Sequence, residues 1–280
     1  MEFPPKSMKV LSWNVAGRVA KYPEQLNAVL EQDPEIIGLQ EIIQSTQSRW
    51  LSDLSEAGYY VSCSFDLIQD KSILKHGRKY GVLVASRWDF KQKNRQEVLI
   101  PWDERLLSLE INSPWEPIEF HNIHMPAGVS HHVIKHQTFE GLFNYLAHKT
   151  NKLRILCGDF NSPRKEYPDG RVVVWGKAKR GKDGRLINDL SERQARAENG
   201  IFSGLTEYNL RDVYRGVNGF QDEDYSWVHK WRDRRTYRRF DHIFASSQLK
   251  PISCEYLHEL IDNGLSDHAP IVANLNPKLK

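Results

Sequence analysis

Short apolar segments alternate with polar ones along the whole chain, and their spacing predicts a succession of strands and helices. Residues 9–14 and 35–39 are mostly apolar, which predicts two buried strands. Between them a helix is predicted to begin at Pro23 and to end before Pro34, because proline is tolerated in the first helical turn but not further in. Further strands are predicted at residues 59–64, 80–86, 106–111, 118–124, 153–157, 240–245 and 269–275.

Two longer segments have the spacing of amphipathic helices. Residues 132–149 place large apolar side chains three and four positions apart, and residues 190–208 are also predicted to be largely helical. Residues 162–186 match neither pattern and are interpreted as an inserted loop or hairpin. The alternation predicts an α/β fold with one domain over residues 8–276, preceded by a flexible extension at residues 1–7.

The composition is that of an ordinary globular enzyme. With 280 residues, 40% of them hydrophobic, the chain can bury a sizeable core, and no apolar run approaches the ~20 residues of a membrane span. The N-terminus lacks the apolar segment of a signal peptide. Cys63, Cys157 and Cys254 are far apart and odd in number, which favours free thiols in a reducing compartment. We therefore predict a cytoplasmic protein without a membrane partner.

The basic residues are concentrated in two regions, although the net charge of the chain is only +3. Residues 162–186 contain eight basic and three acidic residues, and residues 229–239 contain six basic residues and one acidic residue. Each region therefore has a net charge of +5, which leaves the rest of the chain at −7. Two basic regions on an acidic body are typical of a protein that binds a polyanion, although a charged run is more often a solvated surface.

Aromatic residues are interspersed with the basic residues of the second region, and this favours nucleic acid over a plain solvated surface. The candidate nucleic-acid contacts are Arg164, Lys165, Arg171, Lys177, Lys179, Arg180, Lys182, Trp227, Lys230, Trp231, Arg232, Arg238 and Phe240.

Five short polar motifs follow or end apolar segments, in positions that deliver carboxylates, amides and imidazoles to one rim of a sheet. Hard oxygen ligands together with two histidines suit the cleavage of a phosphate ester assisted by Mg²⁺. The motifs are Trp13-Asn14, Leu39-Gln40-Glu41, His124-Met125-Pro126, Gly158-Asp159-Phe160-Asn161 and Ser266-Asp267-His268-Ala269-Pro270.

The motif at residues 158–161 combines a carboxylate with an amide. Gly158 permits a tight exit from the strand, and Asp159 and Asn161 lie two positions apart, on one side if the strand geometry persists. Such a pair can align a water molecule and hold a phosphate oxygen, but an Asx turn at a strand end is the structural alternative. Glu41 is interpreted as a Mg²⁺ ligand, against the alternative of a solvated carboxylate at the end of a strand.

The last motif places an acid beside an imidazole just before a strand. Asp267 is a candidate metal ligand, and His268 is a candidate hydrogen-bond donor to the scissile phosphate. Asp241 follows a basic run and could orient and charge-stabilise His268, as carboxylates often do for histidine.

The chain resembles the endonuclease/exonuclease/phosphatase superfamily over residues 8–276, and within it the exonuclease III/AP-endonuclease type. The resemblance implies a four-layer α/β sandwich of two mixed β-sheets packed face to face, with helices outside. The matching stretches are Leu11-Ser12-Trp13-Asn14, Ile36-Ile37-Gly38-Leu39-Gln40-Glu41, Tyr80-Gly81-Val82, Gly158-Asp159-Phe160-Asn161, Tyr225-Ser226-Trp227, Arg239-Phe240-Asp241 and Ser266-Asp267-His268-Ala269-Pro270.

The resemblance also implies a Mg²⁺ site at Asn14, Glu41 and Asp267, with Glu41 as the most direct ligand and with Mn²⁺ as a substitute ion. The metal and the surrounding donors would stabilise charge as it develops in the transition state.

The resemblance assigns roles to four further residues. Asp159 would position and deprotonate the attacking water, and Asn161 would hold a nonbridging phosphate oxygen. The Asp241–His268 pair would stabilise the pentacovalent phosphorane.

Three residues depart from the AP-endonuclease pattern. Ala16 and His124 stand where such enzymes have an acid and a tyrosine, and Arg238 stands where an aromatic side chain is expected, which puts abasic-site specificity in doubt. A histidine such as His124 is more typical of pancreatic-deoxyribonuclease-like and phosphatase or sphingomyelinase-like members, where it contacts the scissile phosphate. A structural histidine in the core is the alternative.

The sequence thus predicts a Mg²⁺-dependent nuclease that hydrolyses phosphodiester bonds of nucleic acid, with DNA as the expected substrate and no obligate protein partner. The alternative is a phosphatase or phosphodiesterase for a small-molecule or lipid phosphate ester, which the basic regions oppose. A binding protein with an inactive site is disfavoured because every core catalytic position is filled.

Overall fold

Two mixed β-sheets of six strands each form the centre of the molecule. The computed structural model describes residues 6–94 and 97–278, apart from the side chains of residues 129 and 130. The first sheet contains, in spatial order, β17 (Leu249–Tyr256), β18 (Ile271–Pro277), β1 (Met8–Asn14), β2 (Ile36–Ile42), β4 (Gly81–Ser86) and β3 (Tyr60–Cys63). The second contains β13 (Arg211–Asp212), β16 (Asp241–Ala245), β8 (Leu153–Asp159), β7 (Ile118–His124), β6 (Leu106–Ile111) and β5 (Phe90–Gln92).

Helices cover the outer faces of the two sheets. Helices α1 (Tyr22–Glu31) and α2 (Gln44–Glu56) pack apolar side chains against the first sheet. Helices α3 (Gly128–Leu146) and α4 (Arg193–Phe202) do the same against the second sheet. The predicted four-layer α/β sandwich is therefore confirmed. Two shorter helices, α5 (Val213–Asn218) and α6 (Glu259–Asp262), lie in connections between strands.

The inner faces of the two sheets bury one apolar cluster, in which β-branched residues such as Val10 and Ile36 of the first sheet are grouped with Phe120 and Ile155 of the second. Such residues suit strands that are covered on both sides.

A buried amide pair joins the two sheets close to the ends of β2 and β7. The side-chain nitrogen of Gln40 donates to the side-chain oxygen of Asn122 at 2.8 Å, and Asn122 donates back to the carbonyl oxygens of Leu39 and Leu83 at 3.0 and 2.8 Å. Both side chains are completely buried. Gly38 permits the close approach, since a Cβ there would lie 2.8 Å from the Cys157 sulfur.

The predicted strands are present to within about two residues of their expected bounds. Helix α3 begins at Gly128, four residues before the predicted start, and its backbone departs from helical geometry at His131. Of the predicted helix over residues 190–208, the first part is α4 and the last part is a 3₁₀ helix over Gly204–Tyr208.

Several elements were not predicted, among them a helix, a strand and a hairpin. Helix α2 has only Thr46, Trp50 and Leu54 buried, so its apolar stripe is too narrow to stand out. Strand β17 contains Pro251 beside an irregularity in its pairing, and proline normally argues against a strand. The basic run over residues 229–239 forms most of an antiparallel hairpin of β14 (Trp227–Trp231) and β15 (Arg234–Arg238), which was not predicted.

The segment at residues 162–186 leads into two small hairpins, rather than one. Strand β9 (Lys165–Glu166) pairs with β10 (Val172–Val173), and β11 (Ala178–Arg180) pairs with β12 (Leu186–Asn188). Of the predicted flexible extension, residues 1–5 lie outside the described residues.

The three cysteines are buried free thiols. Within the described part of the chain, no helix combines the length and the hydropathy needed to cross a membrane.

A buried ion-pair network ties the first small hairpin to the second sheet. The Glu166 carboxylate accepts hydrogen bonds from Arg239 at 2.7 Å and from Arg215 at 2.9 Å, and Arg239 also donates to Asp212 at 2.7 Å. Burial alone would raise the pKa of Glu166, but the two guanidinium groups outweigh it and lower that pKa to about 2. The carboxylate therefore stays charged in the folded protein.

Replacing Glu166 with glutamine should lower the free energy of unfolding by about 3 kcal/mol at pH 7, because two buried guanidinium groups would lose their partner. The pKa of Glu166 is lower in the folded than in the unfolded protein, so its contribution is complete above about pH 4.5 and is lost as the pH falls towards about 2. Denaturant titrations of the parent and the Glu166→Gln variant at several pH values should therefore converge in acid.

The exposed ion pair between Asp33 and Arg87 provides a control. Asp33→Asn should leave the free energy of unfolding almost unchanged, because solvent screens an exposed pair. Equal stability of the parent and the Glu166→Gln variant at pH 7 would refute the proposed contribution of the network.

Candidate active site

The predicted site residues meet where the strands of the two sheets end. Strands β1 and β2 run parallel, with Asn14 opposite Gln40, and β7 and β8 run parallel, with His124 opposite Asp159. Because parallel strands end at the same edge, each sheet presents its polar motifs on one rim. The two rims face each other, and a hydrogen bond of 2.9 Å from the Asn14 amide nitrogen to Asp159 connects them.

The backbone at these strand ends has unusual conformations. Glu41 has a φ of +59° at an irregularity in the pairing of β2 with β4, and Asn161 has a φ of +49°. Gly158 has a φ of +141°, and a Cβ there would lie 1.9 Å from the carbonyl oxygen of Ile123. Only glycine fits that position, and it allows β7 and β8 to approach at the point where Asp159 follows.

Asn14 holds two carboxylates together. Its amide nitrogen donates to Asp159 Oδ2 at 2.9 Å and lies 3.2 Å from Glu41 Oε1. Its amide oxygen accepts the backbone N–H of Ala16 at 2.9 Å. The amide nitrogen of Asn14 therefore points into the site. In this arrangement Asn14 fixes the positions of the two carboxylates, and its amide oxygen is not directed at a metal site.

His268 lies between two buried carboxylates. Its Nδ1 is 2.7 Å from Asp241 Oδ2, and its Nε2 is 3.9 Å from Asp159 Oδ2. Burial alone would lower the pKa of His268, but Asp241 and Asp159 outweigh it and raise that pKa to about 10. His268 is therefore an imidazolium at neutral pH, and its Nε2–H faces the site.

Asp159 is completely buried, and burial raises its pKa to about 7, with Asp241 adding to the rise and His268 opposing it. Two hydrogen bonds orient this carboxylate, from the Asn14 amide and from the backbone N–H of Asn161 at 2.8 Å. A carboxylate with a pKa near neutrality is suited to remove a proton from water.

His124 is the second histidine close to Asp159 Oδ2. Its Nε2 is 3.5 Å from Glu41 Oε1 and 3.8 Å from Asp159 Oδ2. Its Nδ1 is 2.5 Å from the Arg105 guanidinium, and because arginine can only donate, that Nδ1 is an acceptor. Burial lowers the pKa of His124 well below its ordinary range, with Arg105 and His268 contributing. His124 is therefore neutral, with its proton on the Nε2 that faces the carboxylates.

Arg105 was not predicted as a site residue. Asp103-Glu104-Arg105 is a short charged run in the sequence, with no feature to distinguish it from a solvated loop. In the structure it forms a 3₁₀ turn that buries Arg105 against His124 and lets it donate to the carbonyl oxygen of Gly77 at 2.5 Å.

Lys135 was also not predicted as a site residue. Its ammonium group is buried and donates to the carbonyl oxygen of Asn161 at 2.6 Å. Nothing in the sequence identifies Lys135, since it lies within a helix whose other face is apolar.

Asn161 and Asp267 lie at the edge of this cluster. Asn161 donates from its amide to the carbonyl oxygen of Met125 at 2.9 Å, which leaves its amide oxygen for a further contact. The Asp267 side chain is 46% exposed and lies 3.2 Å from the Trp227 indole nitrogen and 3.9 Å from Arg18. Phe240 is buried in contact with Trp227, with the ring centres 5.1 Å apart.

The side chains fit a hard divalent cation. Carboxylate oxygens of Glu41 and Asp159 lie within 4.8 Å of each other. Burial raises the pKa of Glu41 as well as that of Asp159, so the site concentrates carboxylates with too little compensating charge. A bound cation would supply that charge and favour the ionised carboxylates.

Two hairpins contain most of the exposed residues among the predicted nucleic-acid contacts. Lys230, Trp231 and Arg232 lie at the exposed end of the β14–β15 hairpin, where the Trp231 side chain is 65% exposed. Lys177, Lys179, Arg180 and Lys182 are exposed on the second small hairpin of the insert.

Two of the predicted contacts already have carboxylate partners: the Lys179 ammonium lies 4.0 Å from Asp189 Oδ1, and Arg171 is paired with two acids. Its guanidinium donates to Asp169 at 2.8 Å and to Asp183 at 2.6 Å. These pairs neutralise part of the positive charge that the sequence assigned to the insert.

A two-sheet α/β fold with buried acid–histidine chemistry at one rim defines a hydrolase class that acts on phosphate esters. A model of the Endonuclease/Exonuclease/phosphatase family matches residues 11–268, and the chain belongs to this family. The expected family is thus confirmed, and the protein is an enzyme that hydrolyses phosphodiesters.

Known proteins with the same fold extend over the whole chain. Exodeoxyribonuclease III of Haemophilus influenzae is 26% identical over 294 residues, covering 95% of this chain and 99% of the relative. A solved AP endonuclease structure from Archaeoglobus fulgidus has a TM-score of 0.69 at 20% identity and covers 95% of this chain and 98% of its own. The 3′ phosphatase NExo from Neisseria, solved with a product DNA hairpin, has a TM-score of 0.69 at 18% identity, with coverages of 96% and 99%.

The Asp241–His268 contact predicts a change that can be measured without substrate. In Asp241→Asn the pKa of His268 should fall from about 10 towards or below its ordinary 6.5, because burial would still penalise the imidazolium and its closest counter-charge would be gone. NMR titration of the His268 ring in the presence of a chelator measures this pKa. Asp267→Asn is the matched control, with a smaller fall, since Asp267 is half-exposed. An unchanged pKa in Asp241→Asn would contradict the assignment.

Proposed function

We propose that the protein is a Mg²⁺-dependent nuclease that hydrolyses phosphodiester bonds of DNA. The observation that supports this most directly is the position of Asp159, which is buried close to both the Asp241–His268 pair and the Glu41–His124 contact. A phosphate bound at this point would have a base, a cationic donor and a neutral donor within one small volume.

Nucleic acid as the substrate class rests on charge and on the relatives. The exposed cations of the insert and of the β14–β15 hairpin lie on chain segments that lead directly from Asn161 and into Asp241. The curated relative is named an exodeoxyribonuclease, and the solved Neisseria relative was determined with DNA. We propose DNA on these grounds, and a cytoplasmic location consistent with three buried free thiols.

In the proposed mechanism, Asp159 orients the attacking water and accepts its proton. Its buried carboxylate is fixed by Asn14 and by the backbone of Asn161, so the oxygen that receives the proton needs no rearrangement. The Asn161 amide group has two N–H donors, and one of them donates to the carbonyl oxygen of Met125. We assign to the other a hydrogen bond to a nonbridging phosphate oxygen.

Two histidines with opposite protonation states complete the proposed site. His268 is cationic because of Asp241 and stabilises the negative charge that develops on the phosphorane. His124 is neutral because of Arg105 and donates its Nε2–H to a phosphate oxygen. Arg105 is thus a positioning residue that fixes the tautomer of His124.

Glu41 and Asp267 are the proposed protein ligands of Mg²⁺, for which Mn²⁺ would substitute, and Asn14 holds Glu41 in place. When bound, the cation would supply Lewis-acid stabilisation of the phosphate oxygens.

A substrate panel tests this function. Purified protein is incubated with duplex, abasic, single-stranded and RNA oligonucleotides and with a generic phosphomonoester, each with Mg²⁺, with Mn²⁺ and with a chelator. Cleavage of DNA that needs the cation supports the proposal. Preferred hydrolysis of the phosphomonoester would instead support the alternative of a small-molecule or lipid phosphate ester.

Asp159→Asn should lower the turnover number on DNA by about 10³-fold or more, since the base is lost while the volume and the fold are kept. Single-turnover cleavage assays with the enzyme in excess measure the chemical step directly. Asp89→Asn, an exposed carboxylate that accepts from Asn112 far from the site, is the control and should retain parent activity. Near-parental cleavage by Asp159→Asn would refute the mechanism.

The exposed cations of the insert predict the dependence of binding on salt. Replacing Lys177, Lys179, Arg180 and Lys182 with serine should reduce the slope of log affinity against log salt by roughly one unit for each lost phosphate contact, while a minimal phosphodiester is still hydrolysed. Fluorescence anisotropy with a labelled duplex measures the slope.

The matched control removes four exposed lysines elsewhere on the surface, Lys91, Lys149, Lys250 and Lys278. It changes the net charge equally and should leave the slope almost as in the parent. Equal slopes for the parent and the insert variant would argue against phosphate contacts by the insert.

A further inference from the structure

A cavity of about 750 Å³ lies beside the catalytic cluster, between the insert, the residues that follow α5 and the β14–β15 hairpin. Two of its walls come directly from catalytic segments. Arg164 follows Asn161 by three residues, and Arg238 precedes Asp241 by three. Arg238 is also paired in register with Trp227, whose backbone bridges to His268. The volume is in the range of pockets that hold small ligands.

Several charged groups of the cavity are neutralised by ion pairs. Arg215 and Arg239 are paired with Glu166, and Arg239 also with Asp212. At the other end of the cavity, Asp224 is paired with His258 at 3.0 Å. These groups leave little net charge to attract a ligand.

Among the arginines that line the cavity, Arg164 and Arg238 are different, because neither has a carboxylate partner among the described residues. Arg238 donates from one terminal nitrogen to the carbonyl oxygen of its neighbour Tyr237, and its Nε is buried without any partner. Arg164 lies with its guanidinium 6.0 Å from the Trp175 ring centre. Burial and the nearby charge of Arg164 both lower the pKa of Arg238, as expected for a guanidinium with no counter-ion.

Aromatic rings form another part of the wall. Tyr225 and Tyr237 line the cavity with their ring centres 4.7 Å apart, and Phe220 lies in the same wall. Tyr225 is held in place by stacking on His258 at 4.3 Å. Aromatic faces bind the flat surface of a base or the apolar face of a sugar, whereas unpaired guanidinium groups bind phosphate.

We propose that this cavity is a nucleotide subsite next to the cleaved bond, in which Arg164 and Arg238 hold a backbone phosphate and Tyr225 and Tyr237 contact the attached nucleoside. The acidic residues Asp222, Glu223 and Asp224 line the same cavity and would repel a phosphate, so the phosphate lies at the Arg164–Arg238 end. The proposal rests on the proposed nuclease function and adds which neighbouring group the enzyme recognises.

The identity of Arg238 determines the chemistry of this subsite. The sequence comparison placed Arg238 where AP endonucleases have an aromatic residue, and an aromatic side chain there would face a neutral sugar. A guanidinium with an unpaired donor instead selects an anion. The subsite should therefore favour intact phosphodiester backbone over an abasic sugar.

The test uses oligonucleotides in which one linkage at a time is a neutral methylphosphonate. With the parent enzyme, a neutral linkage adjacent to the scissile bond should lower kcat/KM about tenfold, and neutral linkages further away should have smaller effects. In Arg238→Gln and Arg164→Gln, the all-phosphate substrate should lose a similar factor, and the adjacent neutral linkage should then cause almost no further loss. A further oligonucleotide ends in a phosphate at the position adjacent to the scissile bond. Comparing it with the internal diester shows whether the subsite recognises a terminal monoester or an internal diester.

Arg49→Gln is the control, because Arg49 is exposed on α2 and does not line the cavity. It should keep the parent response to the neutral linkage. Arg238→Lys, which keeps the charge, should keep most of the response, and thermal melts of all variants identify any that fail to fold.

A binding measurement separates this proposal from the nuclease function. Calorimetric titration with a deoxynucleoside monophosphate should detect binding to the parent and at least tenfold weaker binding to Arg238→Gln, whether or not the enzyme cleaves DNA. Two results would overturn the proposed subsite. The first is a parent enzyme that cleaves DNA equally well whether or not a linkage next to the scissile bond is neutral. The second is equal nucleotide affinity in the parent and in Arg238→Gln. Failure to cleave any nucleic acid would overturn the nuclease function alone.

Discussion

The active site depends on the two sheets being held at a fixed distance where their strands end. Neither sheet has a complete set of catalytic groups, since Asn14 and Glu41 belong to the first and His124 and Asp159 to the second. The buried contact between Gln40 and Asn122 lies just inside this rim and satisfies polar groups that would otherwise be costly in an apolar core. Apolar packing has no direction, whereas this hydrogen bond does, so it aligns the two halves of the site.

The second constraint is electrostatic. Four carboxylates, those of Glu41, Asp159, Asp241 and Asp267, lie close together, and Asp159 and Asp241 are completely buried. Each carboxylate contacts a different set of hydrogen-bond donors. Asp241 is hydrogen-bonded to His268, Asp159 accepts hydrogen bonds from amide donors, and the Glu41 side chain is partly exposed to solvent. The two histidines differ for the same reason: one has an acid at Nδ1 and the other an arginine. A single residue type thus provides a cation and a neutral donor in one pocket.

Hydrophobic periodicity predicted the strand ends at which the motifs lie, whereas the four layers and the family were implied by the resemblance that the short motifs carry. Side-chain orientation could not be predicted. The direction of the Asn14 amide depends on the backbone N–H of Ala16, and the state of His124 depends on Arg105, nineteen residues away. The hairpin that contains Trp231 was missed because charge, rather than alternation, dominates its sequence, and because Arg232 makes its turn with a φ of +52° without glycine. Roles of individual site residues remain predictions.

The ion pairs of Glu166 have a consequence for transplanting surface segments between relatives. Loops at the rim of a sheet can usually be exchanged because few contacts bind them to the core. Here the insert contributes the acid that neutralises two buried arginines of the body. A shorter or foreign segment grafted after Asn161 would have to bring a carboxylate to the same point, or the host would also need new residues at Arg215 and Arg239. The insert and the body are therefore expected to be inherited as one unit, and chimeras that divide them should fold poorly even when every catalytic residue is kept.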